Sequence, residues 1–501
     1  MQPAPNAPVI VATAQHTWRN PDPGRTPLDA LEAISREALN NTHYDQVAAN
    51  IDAIATVRFI MDTDPNLAPL LPRNPGKVIA ERLGLDNPQC FQTGIGGNTP
   101  QFLVNHFADR VASGEFKAVL INGAEFINNF FSAMRSGADI SGWIGEPCDA
   151  PTMIGGEDKD GLNDVEKAHG LYEPINTYPL FESSLRHSNA GNSVSAELCA
   201  KMAAVAAANQ YAWRQDAPEA EDISAPSAQN RYIGYPYTKA MNALLSVDMA
   251  AAVILTSAGH AAAMGIPAEQ IIYLRGGTDL NEVWHVSERP ELQRAPAIGK
   301  AVAASLNQAN LALEDVNHFD IYSCFPCAVE IACNEIGLDP LDPRGVTVTG
   351  GLPFFGGPGN NYSLHAIAEM VERLRHDGGH GLVTANGLYL TKHSIGVYSA
   401  EAPAQPWASI DASALQAEVD ATPRCQLAQN PEGQVTVEAF TVAYDKSGPK
   451  RGYIVARNDN NQRVLANVEA DSDTLGRMLE ADIVGQRGMV SATEAGNIFT
   501  L

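Results

Sequence analysis

The sequence predicts an α/β protein of two duplicated halves, an irregular loop domain inserted in the first, and a small C-terminal antiparallel β-barrel. Three observations predict it. A strand, glycine loop, helix and strand occur in that order twice, at 89–126 and at 346–398. Strands and helices alternate through most of the chain, the order of a sheet covered by helices on both faces. Composition then breaks at 401–407 (EAPAQPW), and only short strands of alternating character follow.

The repeat carries the argument. In the second copy, VTVTGGLPFFGGPGNNYSLHAIAEMVERLRHDGG, a glycine-rich loop leads into a helix. Leu364, Ile367, Ala368, Val371 and Leu374 recur there at helical spacing and face a sheet. The stretch 381–390 reads as a buried strand ending at a turn. In the first copy GIGGNTPQ precedes a helix from Pro100, and 117–126 corresponds to 381–390. Recurrence of a whole supersecondary unit marks duplication.

Taken in order, 9–14 is a short strand and 27–39 (PLDALEAISREAL) a helix with Asp29 near its start. A strand over 51–61 and a helix over 75–83 lead to the first repeat. Residues 127–245, rich in Gly, Pro and aromatics, break the alternation, and such a stretch inside a compact protein is a lid or binding loop. Within it 179–209 reads as helical. The stretch 247–258 (VDMAAAVILTSA) begins as a small-residue helix or turn and becomes a strand; 271–277 is a strand, 297–311 a helix, and 318–322 leads into the second repeat. Strands at 435–444, 451–457 and 464–470, separated by KSGPK and NDNN turns, with one more at 483–489, make the barrel. The resulting division is 1–126 with 246–260 for the first half, 127–245 for the loop domain, 261–400 for the second half and 408–501 for the barrel.

Composition narrows the function. With 501 residues, 45% of them hydrophobic and 18% charged, the chain has the make-up of a globular protein of two or three domains. A formal net charge of −25 opposes nucleic acid and anionic membranes, whose capture rests on Lys and Arg. The start, MQPAPNAPVIVATAQHTW, lacks a basic region followed by an apolar run of signal length. Seven cysteines (90, 148, 199, 324, 327, 333, 425) are too few for a disulfide framework in a chain this long. The expectation is a cytoplasmic protein with reduced thiols and no metal.

The repeats, the loop domain and the closing motifs resemble the thiolase superfamily over residues 7–400. GGLPFFGGPGNN stands where thiolases have a glycine-rich segment with GHP, and TANGLYL where they carry a second catalytic cysteine. YSCF stands where they have NEAF, or HDCF in the sterol-carrier-protein thiolases, and VEIACNEIGLDP is similar to that subfamily. The nearest resemblance is to type 1 thiolase-like proteins with an extra C-terminal β-domain, one similar to the OB barrels associated with acyl-CoA. The resemblance implies a five-layer αβαβα core, membership of the acetyl-CoA acetyltransferase family, an acyl-CoA ligand in lipid metabolism without a tightly bound cofactor, and a homodimer.

It also exposes what is missing. The family's nucleophilic cysteine falls at Gly96 or Gly97, its GHP histidine at Gly357, its second cysteine at Asn386 or Gly387, and its asparagine at Tyr322. An ordinary acyl-enzyme therefore has no nucleophile. Tyr322 in YSCF resembles the YDxF of thiolase-like aldolases, so it is either a proton-transfer group or a core tyrosine with one hydrogen bond. Cys324 is either a packing cysteine of the CxxC with Cys327 or a residue of the catalytic face. His393 either lines the cleft or is an isolated hydrogen-bonded imidazole. Gly96, Gly97, Asn98, Gly356, Gly357 and Asn386 either shape a substrate pocket or serve close helix–sheet packing. Three functions stay open: an acyl-CoA-binding protein without thiolase activity, a carbon–carbon lyase of β-hydroxyacyl-CoA using Tyr322, and an acyltransferase with a displaced cysteine, Cys90 or Cys324.

Overall fold

The structure is a computed structural model describing residues 4–44, 46–144, 148–155, 159–470, 472–494 and 496–501. Its large sheet holds ten strands: Pro8–Thr17 (β1), Ile51–Thr56 (β2), Gln89–Thr93 (β3), Ala118–Phe126 (β4), Thr152–Ile154 (β5), Asp248–Ser257 (β8), Ile272–Asn281 (β9), His318–Asp320 (β10), His380–Gly387 (β11) and Lys392–Ser399 (β12). The hairpin Tyr232–Gly234 (β6) and Tyr237–Thr238 (β7) lies outside it. The spatial order is β10-β11-β12-β9-β1-β8-β4-β2-β3-β5. Two copies of one plan meet at β1 and β9, through Val9↔Tyr273 and Ile10↔Ile272. Each copy places an antiparallel strand, β8 or β12, between its first strand and a parallel pair, β4–β2 or β11–β10.

Five layers follow from how the helices pack. Thr99–Ser113 and Tyr362–Asp377 pack on each other and on strands of both halves, forming the middle layer. Pro27–Asn41 covers β1, β8 and β4 on one outside, and Pro296–Ala309 covers β9 and β12 on the other. Local chemistry sets their ends. Thr26 accepts from the Asp29 amide while the Asp29 carboxylate accepts from Thr26, a capping box with Pro27 at the first helical position. The apolar stripe read from Leu364 to Leu374 is buried as its spacing predicts.

Between the helices of the middle layer and β9 and β12 runs a polar seam. Gln101 Nε2 donates to Asn105 Oδ1 at 2.9 Å, Asn105 Nδ2 donates to Asp279 and to the Ile395 carbonyl at 3.2 Å, and Tyr398 donates to Gln101 at 2.8 Å. Gly277 and Gly396 leave room for it. A Cβ on Gly277 would lie 2.9 Å from Asn105 Cγ, and one on Gly396 2.6 Å from Gln101 Cδ.

Several expectations are corrected. The stretch 247–258 is strand almost throughout, because its alanines are buried between β1 and β4, where sheet pairing overrides helix propensity. The strand expected over 51–61 ends at Thr56, since the Ile60 amide turns aside to the buried Glu125 carboxylate at 2.7 Å. The helical stretch 179–209 is two helices, Pro174–Ser188 and Ser195–Ala208. The strand expected at 483–489 lies at Arg487–Thr493, and a further strand, Gly496–Thr500, follows it.

C-terminal strands Gly433–Asp445 (β13), Gly448–Asn458 (β14), Arg463–Val468 (β15), Arg487–Thr493 (β16) and Gly496–Thr500 (β17) close a barrel in the order β13-β14-β15-β17-β16-β13. It is not wholly antiparallel, since β15 and β17 pair in parallel at Asn467↔Ile498. β6 pairs with β13, and the Phe440 amide donates to Ser183 of the Pro174–Ser188 helix at 3.1 Å. Arg463, 2% exposed, fixes the barrel to the core: its guanidinium donates to the carbonyls of Ser287, Arg289 and Pro290 and pairs with Glu438 at 3.0 Å. Arg463→Met removes the donor to the Ser287 and Pro290 carbonyls, leaves the Arg289 carbonyl only the Cys425 thiol, and lowers unfolding free energy by about 3 kcal/mol in urea titration. The exposed Arg487→Met serves as control, with a change under ~0.5 kcal/mol.

Candidate functional site

The two glycine loops meet where the duplicated halves face each other. Asn360 Oδ1 accepts the Gly96 amide at 3.0 Å, Asn360 Nδ2 donates to the Arg58 carbonyl at 2.8 Å, and Ser363 Oγ donates to the Gly97 carbonyl at 2.5 Å. Glu125 supports this junction by accepting from the amides of Ile60 and Asn360. Thr99–Ser113 therefore begins with Gly96, Gly97 and Asn98 held from the other half.

Tyr322 stands directly over that helix start. A Cβ added to Gly97 would overlap the Tyr322 hydroxyl, lie 2.6 Å from its Cζ and lie 2.7 Å from the Asn386 carbonyl. The tyrosine thus occupies the volume a side chain at 97 would need. Tyr322 is 8% exposed, its amide donates to Thr384 at 2.9 Å, and its ring meets the edge of Tyr362 at 5.5 Å. Burial drives its phenol well above the ordinary value of 10.0, so it rests protonated.

The other expected residues separate into groups. Asn386 Nδ2 donates to the Tyr178 hydroxyl at 3.0 Å and approaches Cys324 Sγ at 3.7 Å. Burial pushes the Cys324 thiol up to about 12, overcoming its hydrogen bonds from Tyr178 and Asn386. Cys90 is on β3, away from this junction, its thiol raised to about 11 by burial. His393 packs on the face of β12 opposite Lys392 and Ser394. Its Nε2 meets the Leu390 carbonyl at 3.1 Å, and burial, with Arg289 beside it, lowers its pKa to about 3. The structure does not bring its imidazole to Gly97. Gly356 and Gly357 pack under the 243–249 segment, with Gly357 facing Ala243 and Leu352.

Two residues of the site were missed by the sequence reading. Lys392, 7% exposed, donates to the Ile95 carbonyl at 2.7 Å and crowds Gly96 and Gly387. Tyr178 is a hub: its hydroxyl donates to the Leu388 carbonyl, accepts from the Leu390 amide, and its ring stacks on Phe325 at 4.4 Å. Strand alternation in LTKHSIGVY signals Lys392, since adjacent residues face opposite ways. Nothing local signals Tyr178, which arrives from the loop domain.

Open space lies outside this packed centre. A cavity of ≈530 Å³ is bordered by Arg214, Ile223, Lys239, Ala243, Leu244 and Pro353, beside the loop that holds Gly357. Its lining sets Lys239 and the carboxylate of Asp222 against apolar walls, while Arg214 is engaged by both carboxylate oxygens of Asp216.

This arrangement defines a thiolase-like fold in which Tyr322 fills the volume above Gly97. Residues 414–495 match the family profile described as the thiolase-like protein type 1 additional C-terminal domain. The crystal structure of a monomeric SCP2-thiolase-like protein type 1 from Mycobacterium smegmatis is 33% identical, covers 99% of this chain and 100% of its own, and superposes with a TM-score of 0.83. The chain belongs to the SCP2-thiolase-like protein type 1 family. The Ltp2-ChsH2(DUF35) aldolase (19% identity, 79% of this chain and 98% of that one, TM-score 0.59) shares the fold. So does the Ascaris suum thiolase Acat5 solved with coenzyme A (16%, 78% and 99%, TM-score 0.55). No match is found among curated protein sequences.

Glu125 supplies a pH test of the junction. Its carboxyl is pushed up from 4.5 to about 8 by burial. Between those values the unfolded chain releases a proton that the folded chain keeps, so stability falls as pH rises through the window. Glu125→Gln removes that part of the slope, measured as melting temperature against pH. An unchanged slope means Glu125 is not the titrating group.

Proposed function

We propose that this chain is an acyl-CoA-binding protein of acyl-CoA and lipid metabolism that does not form the thiolase acyl-enzyme. The observation that carries the reading is Tyr322 in the volume above Gly97. The helix start that would activate a cysteine bears no side chain, and a phenol held protonated by burial sits there instead. Cys324, with its thiol near 12, is almost wholly un-ionised at neutral pH. The cavity beside the Gly357 loop supports a CoA thioester as ligand, with Lys239 toward phosphates, and Ala243 and Leu244 along the stem; Arg214 is shared with Asp216, and Asp222 borders the same space. A cytoplasmic site of action is part of the same reading.

A lyase reading is favoured by one feature, the contact of the Tyr322 ring with Tyr362 at a helix start. There Tyr322 would serve as a hydrogen-bond donor to the thioester oxygen or the β-oxygen, since its raised pKa opposes a resting base. Calorimetry of CoA, acetyl-CoA and a β-hydroxyacyl-CoA, with mass spectrometry of each mixture, decides between them. The expected result is binding with every thioester recovered intact, unchanged by Tyr322→Phe. Cleavage between the α and β carbons that Tyr322→Phe abolishes replaces the proposal with the lyase, and no binding ends both.

The filled volume has its own test. Gly97→Cys costs about 1–3 kcal/mol by overpacking. In a Tyr322→Ala background the cost shrinks, with a coupling of ~1 kcal/mol in denaturant titration, while the Asn386 carbonyl retains the remainder. Additive costs would show that the two side chains do not compete for one space.

A further inference from the structure

β2 and β3 are parallel neighbours, and open α/β sheets bind ligands outside the carboxyl ends of such strands. A cavity of ≈640 Å³ opens there, and none of its lining residues belongs to the Tyr322 cluster. Its size is that of a pocket for a small organic molecule, within the range of ~300–1,000 Å³.

Its lining divides into a polar end and an apolar wall. Gln92, the penultimate residue of β3, is 5% exposed, and its Nε2 has no hydrogen-bond partner among the described residues. A buried amide donor without an acceptor carries a desolvation cost that a ligand oxygen would remove. Arg58 is engaged, with Nε 3.1 Å from Asp62 Oδ2. Arg73 lines the same cavity, is exposed, and forms no ion pair or side-chain hydrogen bond among the described residues. The wall is formed in part by Ile144 and Met153, which are 42% and 49% exposed, alongside the buried Leu71. Large apolar side chains that line a concavity yet face solvent mark a surface that gains by being covered.

We infer that this cavity is a second binding site, for an organic anion with a compact apolar body. Its carboxylate or phosphate head is taken by the Arg73 guanidinium and the Gln92 amide, and its body covers Ile144, Met153 and Leu71. The Arg58–Asp62 pair is neutral as a unit, so the head is drawn to Arg73. The site is independent of any CoA thioester held beside the Gly357 loop.

Calorimetric titration of the full chain with octanoate, octyl phosphate and the neutral octanol tests the inference. One of the anions binds, and octanol binds about tenfold more weakly, the loss of one charge-assisted hydrogen bond. Octanoate ahead of octyl phosphate assigns a carboxylate head, and the reverse order assigns a phosphate head. Arg73→Ala and Met153→Glu, both at exposed positions, each weaken the anion about tenfold without altering the melting temperature. Gln92→Leu weakens it too, and a retained melting temperature separates this from misfolding. The inference is overturned if octanol matches both anions, if neither anion binds up to ~10 mM, or if Arg73→Ala and Met153→Glu leave the affinity unchanged.

Discussion

One amide side chain joins the two halves at the point where function is expected. Asn360 accepts from Gly96, donates to the Arg58 carbonyl, and presents its own amide to Glu125. Each bond in isolation contributes about 1 kcal/mol, but a buried group left unpaired costs more than its bond returns. The set is therefore all or none. It places the start of Thr99–Ser113 against the second half, and the position of Tyr322 over Gly97 depends on that placement.

From there the chemistry is governed by desolvation. Tyr322, Cys324 and His393 are all held in their neutral forms by burial. Such a centre is suited to shape and hydrogen bonding, and poorly suited to a charged nucleophile. The barrel takes part in this geometry. Arg463 holds the 287–290 segment, and Arg289 in turn donates to the Tyr389 carbonyl and to Thr391, in the turn between β11 and β12. A chain of buried guanidinium contacts thus runs from the added domain to the strand ends that carry Asn386 and Lys392.

The duplication was legible because it was written twice, in glycine loops followed by helical stripes and strands. Family resemblance in GIGGNTPQ, YSCF and TANGLYL placed Gly97, Tyr322 and Asn386 in one neighbourhood, and the structure brings those three together, whereas Gly357 of GGLPFFGGPGNN packs against Ala243 and Leu352 instead. What escaped follows from tertiary context. VDMAAAVILTSA is ambiguous by propensity, and only burial between two strands makes it a strand. In the stretch LTKHSIGVY the choice between His393 and Lys392 is a choice of face, and a one-residue step in a strand reverses it. The parallel pairing of β15 with β17 and the reach of Tyr178 across to Asn386 join residues far apart in the chain, with no local pattern to announce them.

The polar seam of the middle layer ties together positions distant in sequence. Gly277 and Gly396 are flat because Asn105 and Gln101 fill the space above them. A methyl group at either glycine requires a smaller residue at its counterpart, and a shortened Asn105 or Gln101 leaves a hole that a larger residue on the strand could fill. The four positions are thus two matched couples, and the route open to one member through sequence change is set by the other. Between homologues, drift along this seam is expected to come in compensated steps rather than as independent substitutions.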